Sequence, residues 1–366
     1  MSKVFAVVLT YNRKELLKRC LDAIYAQTRP CDGVIVIDNA STDGTEDMLR
    51  QEHSPFLKVY ALSKNIGASG GFNAGFRIAY KNGADFVWMM DDDVIPEPDA
   101  LLRLEEADAL LQREEIDRAF LVSTAFTETG LITNTPDVDD RANSIGYPAW
   151  PQLVQHGLLP VRRATFVSIL VPRQTLQEHG LPLASMFIWG EDTEYTLRVT
   201  RQVPGFMVGA SRVQHLRQES GSINIFAESN PNRIRYHRHL IRNEMFVTRK
   251  YAKRRRAFMT TLRQWKVMTK LLCLREFEKA AVVFRGVWES RGFRPRKEAA
   301  DAPIETLGVS VRYFSPAADP QAGLAFEGSS NRRAAERALR LVPSDIDSML
   351  SSEDRDEAAS LCQREF

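Results

Sequence analysis

The feature of this sequence that most constrains its fold is an apolar segment that ends in three consecutive aspartates. Residues 84–90 are mostly apolar, and they run directly into Asp91, Asp92 and Asp93. An apolar run of this length is typical of a strand buried on both faces of a parallel sheet. Three like charges at the end of such a strand repel one another, so a bound cation is the natural source of compensation.

The spacing of the aspartates predicts which of them bind that cation. Alternate side chains of an extended segment point the same way, so Asp91 and Asp93 are expected to converge while Asp92 diverges. Oxygen ligands of this kind suit Mg²⁺ or Mn²⁺, especially when phosphates complete the coordination shell. The alternative is an acidic surface turn before the prolines at 96 and 98, because polar turns commonly follow strands.

Three further apolar segments precede this strand, and segments of helical periodicity separate them. The predicted strands are Val4–Thr10, Gly33–Asp38 and Phe56–Leu62. Alternating strands and helices indicate an α/β fold, a right-handed, mostly parallel, Rossmann-like sheet with helices on both faces. Ligands bind such sheets at the carboxyl ends of the strands, where Thr10, Asp38 and Asp91 lie.

A glycine cluster lies between the third and fourth predicted strands. Residues 65–73 read Asn-Ile-Gly-Ala-Ser-Gly-Gly-Phe-Asn and open onto a helical pattern over residues 74–80. Amides at such a helix N-terminus could face a phosphate or a sugar, although glycines also serve tight turns. The cluster matches neither the P-loop nor the dinucleotide-binding fingerprint, so it does not predict those sites.

Residues 130–160 are rich in Pro, Asn and Asp, which predicts a long loop, and long loops commonly build sites. A strand is predicted over 164–171 after that loop. An aromatic segment then meets Glu191 and Asp192, with Glu194 close behind. Carboxylates there could catalyse a reaction, or they could simply favour a helix N-terminus.

His215 follows a short strand predicted over Gly205–Gly209. A lone histidine is more often a satisfied structural residue than a metal ligand. Together with a distant acidic metal site, however, His215 becomes a sensible third ligand, because imidazole is acceptable to Mn²⁺.

The C-terminal third is strongly basic although the whole chain carries a net charge of only +2. Between Asn232 and Lys297 there are 20 lysines and arginines against 4 acidic residues, which implies an anionic partner. Apolar residues recur there at helical spacing, whereas basic residues occupy a different face of the same helix. The apolar positions are Phe258, Leu262, Trp265, Met268 and Leu272, and the basic ones are Arg263, Lys266 and Lys270. This pattern predicts an interfacial amphipathic helix on a membrane, or equally a basic helix packed on the rest of the protein.

The four cysteines form no C-x-x-C pair, which argues for a reducing compartment and against a zinc site. The sequence has no signal-peptide pattern and no apolar run approaching the ~18–20 residues that span a bilayer. We therefore expect a cytoplasmic protein, free or attached to a membrane face. The expected organisation is an α/β domain over residues 1–225, a basic helical region over 226–300, and an extension of unknown role over 301–366 with a weak strand at Val309–Phe314.

Taken together, these motifs resemble the inverting glycosyltransferases of family 2, which have the GT-A fold. The resemblance rests on the segments 10–13, 38–45, 65–72, 91–93 and 189–192 and on His215, in that order along the chain. Within the family, the galactofuranosyltransferase and rhamnosyltransferase branch is the most similar. The resemblance covers about residues 3–245, and residues after 300 match nothing in that family.

The resemblance implies a role for each of these residues. Asp91, Asp93 and His215 would hold Mn²⁺ or Mg²⁺ on the donor diphosphate, and Asp192 would be the catalytic base. The implied donor-binding residues are Thr10, Arg13, Asp38, Asn65, Gly71, Asp92 and Arg242. Trp189 and Glu191 would contact the acceptor.

The resemblance also implies partners: a nucleotide-sugar donor, with a UDP-sugar favoured, and a glycan or polyprenyl-linked acceptor. We expect no nucleic-acid partner, an anionic membrane surface, the inner face of the cell membrane as the location, and an oligomer as one option. The best-matching donor is UDP-galactofuranose, with dTDP-rhamnose as the alternative.

Two further classes compete with this interpretation. A nucleotidyltransferase also uses metal-bound carboxylates, but it should carry a glycine-rich loop after the first strand, where this chain has Thr10-Tyr11-Asn12-Arg13. A non-catalytic protein that binds anionic surfaces through its basic region would show steep salt dependence without turnover of any nucleotide sugar.

Overall fold

The computed structural model describes residues 2–216 and 223–316. Its first part alternates strands and helices, as the sequence predicts. The elements are β1 Val4–Thr10, α1 Lys14–Tyr25, β2 Gly33–Asp38, α2 Thr45–Arg50, β3 Leu57–Leu62, α3 Gly67–Lys81, β4 Phe86–Asp91, β5 Val94–Pro96 and α4 Ala100–Arg113.

The second part is richer in short strands, and three long helices follow it. Its elements are β6 Leu121–Phe126, β7 Ile132–Thr133, β8 Asp137–Val138, β9 Leu158–Arg163, β10 Ile169–Pro172, α5 Arg173–His179, α6 Glu191–Val199 and β11 Gly205–His215. The basic region forms α7 Pro231–Tyr251, α8 Arg254–Cys273 and α9 Phe277–Gly292, and β12 Val311–Phe314 comes last. β10 is shorter than the predicted strand 164–171, and β11 is longer than the predicted strand Gly205–Gly209. The long excursion over residues 130–160 carries β7, β8 and a 3₁₀ helix at Trp150–His156.

One mixed sheet organises these elements in the order β12-β3-β2-β1-β4-β10-β6-β11-β9-β8. The run β3-β2-β1-β4 is parallel, as predicted, and β6 pairs in parallel with β11. The pairs β4–β10, β10–β6, β9–β11 and β3–β12 are antiparallel. The carboxyl ends of β1, β2 and β4 therefore lie together on one edge, next to the end of β11.

Alternate residues of the central strands enter two hydrophobic cores, one on each face of the sheet. Val4, Ala6 and Val8 pack with α1, α2 and α4. Phe5 and Val7 pack instead with α3, α5 and α6. The apolar run of β1 is continuous because both faces of the sheet are covered.

Helices α7, α8 and α9 share a separate apolar cluster built from Ile241, Met245, Leu271, Val283 and Val287. Residues beyond α9 then return to the sheet, where β12 pairs with the edge strand β3. Fully buried Arg77 of α3 holds this return, with its guanidinium 3.0 Å from Glu298 and 2.8 Å from Thr306. The domain boundaries at residues 225 and 300 stay a prediction, and most of the predicted extension 301–366 lies outside the described residues.

None of the helices within the described residues is both long enough and apolar enough to cross a membrane.

Candidate active site

The three aspartates lie where the chain turns between β4 and β5. β4 ends at Asp91, and Asp92 and Asp93 form the turn. Nη1 of Arg13 lies 3.2 Å from Asp92 Oδ1 and 2.9 Å from Asp93 Oδ2, so one guanidinium bridges both carboxylates. The expected divergence of Asp92 from its neighbour is therefore wrong, because residues in a turn do not keep the alternation of a strand.

The carboxylates of this turn carry more negative charge than Arg13 can compensate. Burial and the neighbouring charges of Asp93 and Asp92 raise the pKa of Asp91 well above its ordinary value. Burial raises the pKa of Asp92 to about 6, although Arg13 and the hydroxyl of Thr10, which donates to Asp92 Oδ2 at 2.8 Å, both oppose the shift. A cation near these groups would relieve this repulsion.

His215 comes to the same place from β11, where it pairs in register with Val94 of β5. Its Nε2 atom lies 3.4 Å from Asp93 Oδ1, and its Nδ1 atom lies 2.8 Å from the side-chain oxygen of Asn134. An amide oxygen only accepts, so Nδ1 carries a proton, and in the neutral imidazole the Nε2 lone pair faces Asp93. Asn134 thus orients the predicted ligand. Sequence reasoning missed it, because within the excursion nothing distinguishes it from its neighbours.

Asp93 and His215 fit a divalent cation that takes its other ligands from elsewhere. Oδ1 of Asp93 is buried and accepts no hydrogen bond from any residue that the structure describes. Burial opposes ionisation of Asp93, but His215, in the form whose Nε2 atom carries a proton, and Arg13 outweigh it and hold the pKa of this carboxyl below its ordinary value. Within residues 2–216 and 223–316 no group of three His, Cys, Asp or Glu side chains is placed to enclose a metal. Mg²⁺ and Mn²⁺ commonly use one or two carboxylates together with phosphate oxygens and water, which suits a site of this kind.

Asp38 and Asn65 lie at the neighbouring strand ends. Asp38 is buried beside Thr10, and its Oδ1 atom accepts a hydrogen bond from the amide of Ser41 at 2.9 Å. Asn65 Oδ1 accepts a hydrogen bond from the backbone amide of Gly67 at 2.7 Å and another from the side-chain nitrogen of Asn39 at 3.2 Å. Asn65 therefore supports the start of α3, and these contacts do not direct it to a donor.

The glycine cluster lies inside α3 and packs it against the sheet. A Cβ on Gly71 would overlap the side chain of Leu9 in β1, so only glycine allows this close approach. Two amides of the first turn are already used, since Gly67 donates to Asn65 and Ser69 donates to the carbonyl of Phe187 at 3.0 Å. The helix N-terminus is thus partly occupied by the protein's own groups, and the predicted donor-binding role of Gly71 gains no support.

The segment before α6 is strained. Phe187 has φ 68° and ψ −64°, Trp189 has φ 62°, and Gly190 has φ 111°. The amide of Ile188 donates to the carbonyl of Met186 at 2.9 Å, which makes Phe187 the centre of a γ-turn of the rare positive-φ type. Each non-glycine residue held in such a region costs about 1–3 kcal/mol, so surrounding contacts must hold the turn in place.

Two consecutive residues of α7 supply such contacts. Arg242 donates to the carbonyls of Ser185 and Met186 at 3.0 and 2.9 Å, and its guanidinium lies over the ring of Phe293. Asn243, which is fully buried, places its side-chain nitrogen 2.9–3.1 Å from the carbonyls of residues 186, 188 and 189. Arg242, predicted to bind the donor, therefore donates hydrogen bonds to backbone carbonyls in this structure.

Glu191 and Asp192 begin α6 directly after this strained segment. Glu191 is buried, and its Oε2 atom has no hydrogen-bond partner among the described residues. Burial and the charge of Asp192 raise the pKa of Glu191 to about 8, and Glu191 is near enough to contribute to the raised pKa of Asp91. Asp192 is only half-buried, so it is the more accessible of the two carboxylates to an incoming hydroxyl group.

Two other elements flank Asp192. Burial raises its pKa, although the amide of Thr193, which donates to Oδ1 at 2.6 Å, and the charge of Arg163 oppose the shift. Arg163 ends β9 and forms a two-pronged ion pair with Asp137 of β8 at 2.7 and 2.8 Å. The long excursion therefore contacts both parts of the site, with Asn134 at His215 and Asp137 on Arg163, whose charge acts on Asp192.

Trp189 lies between this helix start and α7. Its ring packs edge-on against Tyr236 and His237, with centroid distances of 6.3 and 5.3 Å, and the guanidinium of Arg233 lies 5.7 Å from its ring. Aromatic and cationic groups together form the kind of surface on which a polar ring can stack.

Comparison with known proteins agrees with this geometry. Residues 5–109 match glycosyl transferase family 2. The galactofuranosyltransferase GlfT1 of Mycolicibacterium smegmatis is 29% identical over 216 residues, which cover 54% of this chain and 65% of that protein. GlfT1 of Mycobacterium tuberculosis H37Rv is 31% identical over 210 residues, covering 54% of this chain and 64% of the relative. The match thus spans slightly less than two thirds of each relative.

The crystal structure of GalNAc-T7 with UDP, GalNAc and Mn2+ has a TM-score of 0.50 to this chain at 16% identity, covering 68% of this chain and 48% of that one. At this identity the likeness concerns the fold, and it confirms the predicted GT-A architecture. Residues 5–109 thus form a glycosyl transferase family 2 domain, and the similarity to the two GlfT1 proteins extends well beyond these residues.

Proposed function

We propose that this chain is an inverting, metal-dependent glycosyltransferase whose reaction takes place at the edge formed by β1, β2, β4 and β11. The observation that carries the proposal is the meeting of Asp93, His215 and Arg13 on one side of this edge with the start of α6 on the other. A nucleotidyltransferase is disfavoured because its glycine-rich loop is missing after β1, where Arg13 instead holds the aspartate turn.

In this mechanism Asp192 accepts the proton of the acceptor hydroxyl while the oxygen of that hydroxyl attacks the anomeric carbon of the donor sugar. The new carbon–oxygen bond forms as the bond to the diphosphate breaks, and the diphosphate leaves on the opposite side, which inverts the configuration. Asp93 and His215 would hold the divalent cation, which when bound would neutralise the charge that develops on the diphosphate. Arg13 and Thr10 keep the aspartate turn in the shape that this requires.

The donor we propose is UDP-galactofuranose, and the acceptor is a glycan or a polyprenyl-linked glycan in cell-surface polysaccharide synthesis. The support is the similarity to two mycobacterial proteins named as galactofuranosyltransferases. A rhamnosyltransferase that uses dTDP-rhamnose is the alternative. Asp38, buried at the end of β2, is the residue we propose for contact with the nucleobase.

A thermal-shift panel of nucleotide sugars, with and without Mn²⁺, tests this proposal. Ligands that bind only the folded state raise the melting temperature by mass action. We expect UDP-galactofuranose to give the largest shift, the shift to require Mn²⁺, and Asp93→Ala to abolish it. A shift that is equal in wild type and Asp93→Ala would contradict the metal assignment, and a larger shift with dTDP-rhamnose would select the alternative donor.

We further propose that α8 and α9 attach the enzyme to an anionic membrane surface on the cytoplasmic side. α8 has two apolar stripes. Val267, Met268 and Leu271 face α7 and α9, whereas Phe258 and Trp265 point outward, Phe258 with 67% of its surface exposed.

α9 continues the exposed apolar surface. A connection of three residues joins it to α8, so the two helices are neighbours and run antiparallel. Phe284 and Trp288 of α9 are also exposed, with stacked rings 6.4 Å apart and the guanidinium of Arg291 5.0 Å from the indole. Exposed aromatics with basic neighbours favour the membrane-facing alternative of the sequence prediction.

Sedimentation with liposomes that contain anionic lipid tests this attachment. We expect binding at low salt and release at high salt, because salt screens exposed charges. Reversing Arg254, Arg255 and Arg256 to Glu should weaken binding and leave turnover of a soluble acceptor analogue intact, since each basic residue near the surface contributes about 1 kcal/mol.

A matched triple reversal at exposed cations of the sheet domain, Arg19→Glu, Lys81→Glu and Arg113→Glu, controls for net charge and should bind nearly as well as wild type. If the wild-type protein does not sediment with anionic liposomes at low salt, the proposed attachment is refuted. The exposed stripe would then be the interface of an oligomer or of another protein.

A further inference from the structure

Asn243 makes an unusual set of contacts. Its side-chain nitrogen has two hydrogens, yet three backbone carbonyls lie within 3.1 Å of it, those of Met186, Ile188 and Trp189. Its side-chain oxygen faces the guanidinium of Arg242 at 3.0 and 3.1 Å. A flipped amide would place its oxygen against three carbonyl oxygens and its nitrogen against a cation, so the network fixes the orientation.

The carbonyls that Asn243 binds belong to the strained γ-turn and to Trp189, the residue after it. Phe187 and Trp189 both have positive φ, and their segment is gripped from the opposite side by α3, where the amide of Ser69 donates to the carbonyl of Phe187. Gly190, at φ 111°, allows α7 to come close, because a Cβ there would lie 3.3 Å from Cβ of Asn243. The turn is thus held between two helices. On the α7 side Arg242 and Asn243 both donate to the carbonyl of Met186, and Asn243 also donates to the carbonyls of Ile188 and Trp189.

Only Trp189 and Gly190 separate the γ-turn from α6, whose first two residues are Glu191 and Asp192. Buried carbonyls without a donor are strongly disfavoured, so loss of the Asn243 amide would drive the turn to reorganise. Because α6 starts two residues after the turn, we expect a reorganised turn to move the first residues of the helix. A displacement of about 1 Å at a reacting group can lower a rate by about 10²-fold.

We propose that Asn243 is a positioning residue: its amide clamps the γ-turn at residues 186–188 together with the following Trp189, and thereby sets the place of Asp192 at the acceptor side of the site. This inference rests on the proposed function for its catalytic consequence. The clamp itself can be measured without any turnover.

The test compares two variants of the full chain. Asn243→Asp keeps the size of the side chain but replaces the donating amide with an oxygen that faces three carbonyls. Met245→Ala, two residues further along α7, removes a buried side chain that packs in the cluster of α7, α8 and α9, whereas Met186 of the turn belongs to a different cluster. It therefore weakens α7 without touching the clamp.

Hydrogen exchange measured by mass spectrometry reports on the clamp. We expect Asn243→Asp to increase exchange at least tenfold in the peptide that covers residues 184–192, and Met245→Ala to leave this peptide close to wild type. Equal exchange in the two variants would overturn the clamp, whether or not the protein transfers a sugar.

Steady-state kinetics report on the positioning. For Asn243→Asp we expect kcat to fall about 100-fold while the Kd of the nucleotide sugar changes less than threefold, because the donor side of the site is held by Arg13 and Thr10. Asn243→Gln, which keeps the donating amide, should recover part of the lost kcat. If Asn243→Asp raises hydrogen exchange but its kcat equals the kcat of Met245→Ala, the positioning role is overturned. If wild type transfers no sugar from any donor, the proposed function fails, and the exchange experiment still decides the clamp.

Discussion

Glu194 offers a direct test of how α6 is fixed to α7. This carboxylate is fully buried, and three groups surround it: Arg198 at 3.1 Å, Lys250 at 3.0 Å and the hydroxyl of Tyr251 at 2.6 Å. We consider Glu194→Gln, which keeps the shape of the side chain and removes its charge. Arg198, whose other hydrogen bonds go to backbone carbonyls, is then left largely buried without a counter-ion.

Removing one partner of a buried ion pair costs about 3–5 kcal/mol, and glutamine retains one acceptor, so we take about 3 kcal/mol. At roughly 2 °C per kcal/mol for a chain of this size, the melting temperature should fall by about 6 °C. Glu106→Gln is the matched control, because its ion pair with Arg103 at 3.0 Å is exposed, and it should cost less than about 1 °C. Equal melting temperatures for wild type and Glu194→Gln would refute the reasoning.

The pH dependence provides a second check on the same variant. Burial opposes ionisation of Glu194, but Arg198, Tyr251 and Lys250 outweigh it, so the pKa of this carboxyl lies below its ordinary value. A lowered pKa in the folded state contributes stability that is present above the unfolded pKa and is lost as pH falls through the folded one. The difference in melting temperature between wild type and Glu194→Gln should therefore be constant from about pH 6 to 8 and shrink below about pH 4.

Three further predictions follow from the packing and charge of the sheet domain. Gly71→Ala forces a methyl group against Leu9, so it should lower the free energy of unfolding by about 1–3 kcal/mol. The control is Gly292→Ala, whose added methyl group meets open space and should leave the thermal melt unchanged. Equal melting temperatures for the two variants would contradict the packing role of Gly71. Burial raises the pKa of Asp192, and a general base must be ionised to act. We therefore expect kcat/KM to fall on the acid side with an apparent pKa above that of an ordinary aspartate. If Asp192→Asn leaves this pH profile unchanged, Asp192 is not the base. Arg77→Met leaves Glu298 without its buried cation. We therefore expect limited proteolysis to cut residues 294–310 faster in this variant than in wild type. Unchanged cleavage would show that other contacts hold this segment.

Much of the site edge could be predicted from local pattern. The continuous apolar runs gave β1 and β2 their observed bounds, because strands covered on both faces need no polar alternation. The same reasoning placed Thr10, Asp38 and Asp91 at neighbouring strand ends. It failed at the next residue, since a turn at Asp92 removes the strand geometry on which the expected divergence depended.

The partners of the site residues could not be predicted, because they come from distant parts of the chain. Asn134 meets His215 across 81 residues, and Asn243 meets Trp189 across 54. No local spacing signals such pairs, and an asparagine in a helix or a loop has no pattern of its own. Similarly, helical spacing identified the apolar stripe of α8 but could not show that its outer members stay exposed while Met268 packs inward.

The pairing of β12 with β3 has a consequence for how the protein is made. Val311 to Phe314 lie beside Leu62 to Val59, so the outer edge of the sheet is closed by residues that leave the ribosome about 250 positions after β3. At about 5–20 residues per second, the backbone donors and acceptors on the outer side of β3 lack the β12 partner for roughly 12–50 s. An open edge of this kind invites pairing with other chains. We therefore expect slow translation, or a stop between α9 and β12, to lead to aggregated nascent chains even though every residue of the aspartate turn has already been synthesised.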